Sequence, residues 1–337
     1  MQKTNDIVRN SFFVLGAKDM EMDLIERLLT AASEKGLIAG FGYAAVSQQR
    51  CHPGNAYKAT DVMAIAGKFE GAEVVVVECD FTVTADKTVI DHHQRGDFGF
   101  GKPASESVAA SSLGQVLSLF GSVPTREFTE PLSDVLHSLG LEHLGGTCDP
   151  GCEFHNPPAP GGFVFDHGWW LGIGEHSIGQ GTMADFAYIL PTPWVAAMAA
   201  DHNLTAAYKG EVQGIAAEDV LAVRLPEVAQ RNRVTENIAR DEITKAAGLL
   251  AESPRVKIGD IRVFDIRDAG VQPFALEAAT MNGDAFIGRV DSRDASKVMC
   301  SAPTEAVKAF LNGWAAEQGI TSTYGDPARG FAGGTQN

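Results

Sequence analysis

Lys87-Thr88-Val89-Ile90-Asp91-His92-His93 is the stretch on which the reading of this chain turns. An apolar, β-branched run that stops in one acid and two imidazoles reads as a buried strand delivering polar side chains to the carboxyl edge of a sheet, where open α/β folds bind ligands. One carboxylate and two neutral imidazoles supply oxygen and nitrogen ligands suited to Mn, Fe, Zn or Mg, provided other segments bring further carboxylates to the same edge.

Such segments flank it. Upstream, Ala72-Glu73-Val74-Val75-Val76-Val77-Glu78-Cys79-Asp80 holds four consecutive valines, a pattern buried on both faces as in a parallel sheet, and ends in the acids Glu78 and Asp80. Glu78 continues the valine run directly and is the favoured site residue. Too few residues separate this strand from the one ending in Asp91 for a helical crossover, so an antiparallel piece or a shifted boundary is expected between them. Ser11 to Gly16 reads as the first strand. It leads into the acid-rich turn Ala17-Lys18-Asp19-Met20-Glu21-Met22-Asp23, after which Leu24, Ile25, Leu28 and Leu29 recur at helical spacing. Phe41 to Val46 reads as the second strand. The loop Arg50-Cys51-His52-Pro53-Gly54-Asn55-Ala56-Tyr57-Lys58 offers a metal ligand in His52 and phosphate contacts from Arg50 and Lys58. Downstream come a Gly-rich loop from Gln94 to Pro103 and a helix from about Glu106 that carries Ala109-Ala110-Ser111-Ser112, with an N-terminus suited to a phosphate. Trp194 to His202 is an apolar, Ala-rich segment that ends in Asp201 beside His202.

The triplet Asp91-His92-His93, with the Asp201 segment downstream, resembles the signature of the DHH phosphoesterase superfamily. That superfamily includes RecJ-like exonucleases, nanoRNases, cyclic dinucleotide phosphodiesterases, exopolyphosphatases and manganese-dependent inorganic pyrophosphatases. The resemblance implies an α/β fold, with a parallel-sheet N-terminal domain and a smaller α/β C-terminal domain of the DHHA1 kind that binds substrate. It divides this chain into a metal-binding catalytic domain over residues 1–210, a helical linker over 211–255 and a substrate-binding domain over 256–337. Its first motif, a His and then two Asp one residue apart, aligns with Ala17, Glu21 and Asp23, so the His is missing. The implied ligands of Mn2+, Mg2+ or another divalent metal are Glu21, Asp23, Glu78, His92 and Asp201. Asp91 would orient the ligand His, and His93 would contact the substrate or its leaving oxygen. His52, Lys58, Arg95, Arg329 and Gly330 are the remaining substrate-binding candidates; the last two lie in the Gly-rich end Tyr324 to Gly334. The activity implied is hydrolysis of a phosphoric ester or anhydride in a small substrate such as a short oligonucleotide, a cyclic dinucleotide or pyrophosphate. The alternative is a catalytically weak protein of the same fold that binds or sequesters a nucleotide.

Residues 144–183 interrupt this pattern with Gly, Pro, Trp, Cys and His. Cys148, Cys152 and His155 carry the atoms for a structural Zn2+ but no fourth ligand is assigned, and a lid or wall of the site is the better reading of so long an insertion. The whole chain of 337 residues has a net charge of -16, which argues against long nucleic acid as a partner while leaving small phosphorylated ligands open. A homodimer is left open. Five scattered cysteines suit reduced thiols, and neither a signal peptide nor a membrane-length apolar run is present, so a cytoplasmic protein is expected.

Overall fold

The computed structural model describes residues 8–80, 87–121, 192–268, 272–291 and 296–336. It is a mixed α/β structure with two sheets, and the chain divides into two compact units between His202 and Asn203. No described helix is long and apolar enough to cross a membrane.

The first unit is built on β1 (Ser11–Leu15), α1 (Met20–Glu34), β2 (Gly40–Val46), β3 (Gln49–Arg50), β4 (Asp61–Gly67), β5 (Glu73–Val77) and β6 (Lys87–Ile90). Strands β2, β1, β5 and β6 lie side by side and all pair in parallel; β3 and β4 each pair with β2 in antiparallel fashion. The all-buried β1 and the valines of β5 are what a sheet covered on both faces demands. Strands β5 and β6 are parallel neighbours, and residues 81–86 between them, where the antiparallel piece is expected, lie outside the described residues. The edge strand β4, with half-exposed residues and no clean alternation, carries too weak a pattern for the sequence to mark it.

Helix α1 starts earlier than the leucine spacing suggests, because Asp19 caps it: the Met22 N–H donates to Asp19 Oδ1 at 2.7 Å. Its buried face is Met22, Ile25, Leu28, Leu29 and Ala32, an apolar stripe of helical period. After β6, a loop and a single helical turn (Ser107–Ala110) lead into α2 (Ser112–Gly121), and α3 (Thr192–Tyr208) closes the unit. Residues 194–200 of α3 are buried all round, which places the acid that follows them in a dry environment.

The second unit contains α4 (Ala217–Asn232), α5 (Glu236–Leu250), β7 (Arg255–Ile258), β8 (Ile261–Asp265), α6 (Gln272–Asn282), β9 (Phe286–Asp291), β10 (Ser296–Ser301), α7 (Thr304–Ala309), β11 (Ile320–Asp326) and β12 (Phe331–Gln336). Its sheet runs β11-β12-β10-β9-β8-β7, antiparallel except for β8 beside β9. Ile258, Val263, Ile287, Val298, Val307 and Phe310 form its apolar core. The glycine-rich end is an ordered β11–β12 hairpin rather than a loop. Within this unit one buried acid ties α4 and α6 to the end of α3 that lies beyond Asn203: Tyr208 donates to Glu277 Oε1 at 2.7 Å, and Arg224 Nε lies 3.3 Å from both Glu277 oxygens.

Removing Glu277 would leave the buried Arg224 guanidinium without its main counter-charge. Glu277→Ala is expected to cost about 3–5 kcal/mol of stability in denaturant unfolding. Glu305→Ala, which breaks an exposed pair with Lys308, is expected to cost about 0.5 kcal/mol or less. Equal costs would show that the Glu277 network is not a support of the second unit.

Candidate metal centre

The register of the first sheet decides where its polar residues emerge. Leu15 pairs with Tyr43 on one side and with Val77 on the other, and Val77 pairs with Ile90. The next residues along these strands, Gly16, Glu78 and Asp91, therefore leave the same carboxyl edge side by side. Glu78 has φ 51°, a left-handed conformation uncommon for a residue with a side chain. Its backbone is fixed by an N–H bond to Ile90 O at 2.9 Å, and Gly16 makes room for it: a Cβ at Gly16 would collide with the Glu78 carbonyl oxygen.

Four side chains converge here. Glu21, Glu78, His92 and Asp201 each present one ligand atom, and these atoms all lie within 4.8 Å of one another. Glu21 and His92 are 0% exposed and Glu78 is 5% exposed. His92 Nε2 lies 3.1 Å from Asp201 Oδ2, and His92 Nδ1 lies 3.9 Å from Glu78 Oε1 and 3.4 Å from Ser112 Oγ. Buried polar atoms outside a well-formed hydrogen bond are rare, and each of the four residues holds one: Glu21 Oε2 and Glu78 Oε1, and His92 Nε2 and Asp201 Oδ2, which face each other as an ion pair. A second, overlapping group joins Glu78 and His92 to His93, whose side chain is 39% exposed.

Electrostatics gives the same picture. Burial, then the charges of Asp201 and Glu78, push the Glu21 carboxyl well above its usual range. Burial, then Asp19 and Asp201, do the same to Glu78. Burial also acts on Asp201, but contact with His92 outweighs it and holds Asp201 down at about 2. Three carboxylates and one imidazole in a dry site are short of positive charge, and a divalent cation with oxygen and nitrogen ligands supplies what is lacking.

The sequence-derived candidates divide sharply. Glu21, Glu78, His92 and Asp201 meet; Asp23 does not. Two residues along a helix point in different directions, so Asp23 faces Lys18 in an exposed pair at 3.3 Å while Glu21 faces inward. The acid that accompanies Glu21 is instead Asp19, whose charge acts on both Glu21 and Glu78. Asp91 is no member of either group and does not orient the ring of His92. Its Oδ1 accepts the N–H groups of His92 (2.7 Å) and His93 (2.9 Å) and meets His93 Nδ1 at 3.0 Å, and its Oδ2 accepts the Tyr57 hydroxyl at 2.7 Å. Thus the loop 50–58 reaches the site through Tyr57, which carried no signal in sequence because nothing local distinguishes a site phenol from a packing one. His52 is an exposed turn residue, its Nδ1 accepting the Gly54 N–H at 3.1 Å. Lys58 is exposed and outside both groups, while Arg50 stacks on Tyr43 and bonds Glu26.

The N-terminus of α2 is taken by protein groups rather than left for phosphate: Leu113 N–H donates to Glu21 Oε1 at 2.7 Å and Gly114 N–H to Ser111 Oγ at 3.1 Å. His93 and Arg95 are exposed on the loop after β6. Arg329 and Gly330 lie in the turn of the β11–β12 hairpin of the second unit, with Arg329 over the Phe331 ring at 5.6 Å. Cys148, Cys152 and His155, with the rest of 144–183, lie outside the described residues. No family model, curated protein or solved structure matches this chain.

Cation binding must strip protons from Glu21 and Glu78. For acids with raised pKa, the stability they contribute to the metal-free fold is complete below their ordinary value of 4.5 and is lost as pH rises through the folded values. The gap in thermal midpoint between Mn2+-loaded and metal-free protein is therefore expected to widen as pH rises from that value. A gap that ignores pH would mean these two carboxyls are not ligands.

Proposed function

We propose that this chain is a divalent-metal-dependent phosphoesterase, related to the DHH superfamily, acting on a small phosphorylated substrate. The observation that carries the reading is the buried cluster of Glu21, Glu78, His92 and Asp201, whose ligand atoms all lie within 4.8 Å of one another at the carboxyl edge of a parallel sheet. These residues would hold Mn2+ or Mg2+. When bound, such an ion lowers the pKa of a water and neutralises phosphoryl oxygens.

The rest of the work falls to the chain itself. Glu78 and His92 belong to both candidate groups, and His93 is the residue that only the second group adds. Asp91, held by Tyr57, fixes the His93 imidazole through Nδ1; His93 then meets the substrate at the exposed rim, donating a hydrogen bond to a phosphoryl oxygen or a proton to the leaving oxygen. Exposed Arg95 on the same loop supplies a cation for phosphate. Compared with the family's first motif, the paired acids are Asp19 and Glu21 rather than Glu21 and Asp23. That shift moves the place of the motif's His from Ala17 to Leu15, a buried strand residue, and leaves one ligand fewer than the motif provides.

Purified protein loaded with Mn2+, Mg2+ or Zn2+ would be assayed against short oligonucleotides, cyclic dinucleotides and pyrophosphate. Turnover is expected with one of these substrates and is expected to vanish on chelation. Glu78→Gln imitates the protonated acid, so it should leave the metal-free fold at least as stable as wild type. Its metal affinity should fall by more than the roughly 10–100-fold that loss of an outer partner costs, and hydrolysis should fall with it. Turnover that survives chelation, or a wild-type protein that binds no divalent ion, sinks the proposal; tight nucleotide binding without product would instead favour the sequestering alternative.

A further inference from the structure

The loop that follows His93 carries an aromatic ring in an unusual place. Phe98 is 69% exposed, more than any other large apolar side chain among the described residues. A lone exposed Phe is ordinary on a protein surface. This one sits on an anchored backbone beside the centre. Gln94 N–H donates to Asp97 Oδ2 at 2.6 Å, Asp97 N–H to Gln94 O at 3.0 Å and Phe100 N–H to Asp97 O at 3.2 Å, while His202 Nε2 meets Lys102 O at 2.8 Å. Gly99 is pressed onto the metal-ligand candidate itself: a Cβ there would lie 2.6 Å from His92 Cβ and would collide with the Ala110 carbonyl oxygen. Since consecutive Cα atoms are about 3.8 Å apart, the Phe98 Cα lies within about 8 Å of His92 Cβ. The same loop exposes Arg95, and His93 opens it.

We infer that Phe98 is a stacking platform for a nucleobase, making the substrate of this centre a nucleotide rather than pyrophosphate or polyphosphate. The inference rests on the phosphoesterase reading above and deepens it. An anion with no apolar part gains nothing from a solvated phenyl ring, whereas every base has a π-face that stacks on one without regard to sequence. A cation in the centre and Arg95 take the phosphate, and Phe98 takes the base attached to it. The chain's charge of -16 confines this to short ligands, in which local cations outweigh the global field.

The test compares two probes on the Mn2+-loaded full chain: a phosphorothioate-linked dinucleotide carrying 2-aminopurine, and the same molecule with that base removed. Equilibrium titration is expected to show tighter binding of the base-bearing probe by roughly five- to 150-fold, the range that one stacked base confers. Phe98→Ala is expected to collapse that preference towards unity and Phe98→Tyr to keep it, with 2-aminopurine fluorescence quenched in wild type and in Phe98→Tyr but not in Phe98→Ala. Equal affinity of the two probes for wild type, a preference unchanged in Phe98→Ala, or binding of neither probe would overturn the inference. A preference that depends on Phe98, together with no cleavage of the ordinary dinucleotide, would sustain stacking and sink the hydrolase reading alone.

Discussion

The parallel register Tyr43–Leu15–Val77–Ile90 is the constraint on which the chemistry of this chain depends. Leu15, Val77 and Ile90 are buried, and the pairing of their strands sets the row: a slip of one residue would carry Glu78 or Asp91 off the level of Gly16. With the row fixed, Gly16, Glu78 and Asp91 follow at one level. Helices α1 and α3 then bring Glu21 and Asp201 to the same edge, each from a segment whose apolar face is already committed to the core.

Two kinds of carboxylate coexist there. Burial pushes Asp91 up, yet the bonds from His93 and Tyr57 hold it below the usual range, so it stays ionised without help from a cation. Glu21 and Glu78 have less such support and are driven the other way by burial and by the charges of Asp201 and Asp19. The contrast separates the residue that builds the strand end from those that await a ligand, and it follows from hydrogen-bond counts rather than residue type.

Much of this was legible in the sequence. The valine run fixed the parallel strand and pointed to Glu78, and an apolar run ending in Asp91-His92-His93 placed the second strand end. Asp201 stood out because an acid terminated an apolar segment. Asp23 was favoured over Asp19 because leucine spacing marked the middle of α1 better than its start, which the Asp19 cap sets. Tyr57 and Asp19 could not be assigned to the site from local pattern, since only tertiary approach distinguishes them from ordinary turn residues. His52 lies in neither group, and its Nδ1 accepts the Gly54 N–H within its own turn.

Glu78 occupies a left-handed backbone position that glycine would adopt at no steric cost and that Asn or Asp tolerate better than Glu does. Only a side chain of glutamate's length and charge, however, carries Oε1 from that backbone to His92. Conformational comfort and ligand reach thus select different residues at this position. A Gly at this position would relax the backbone and at the same time remove Oε1 from the cluster.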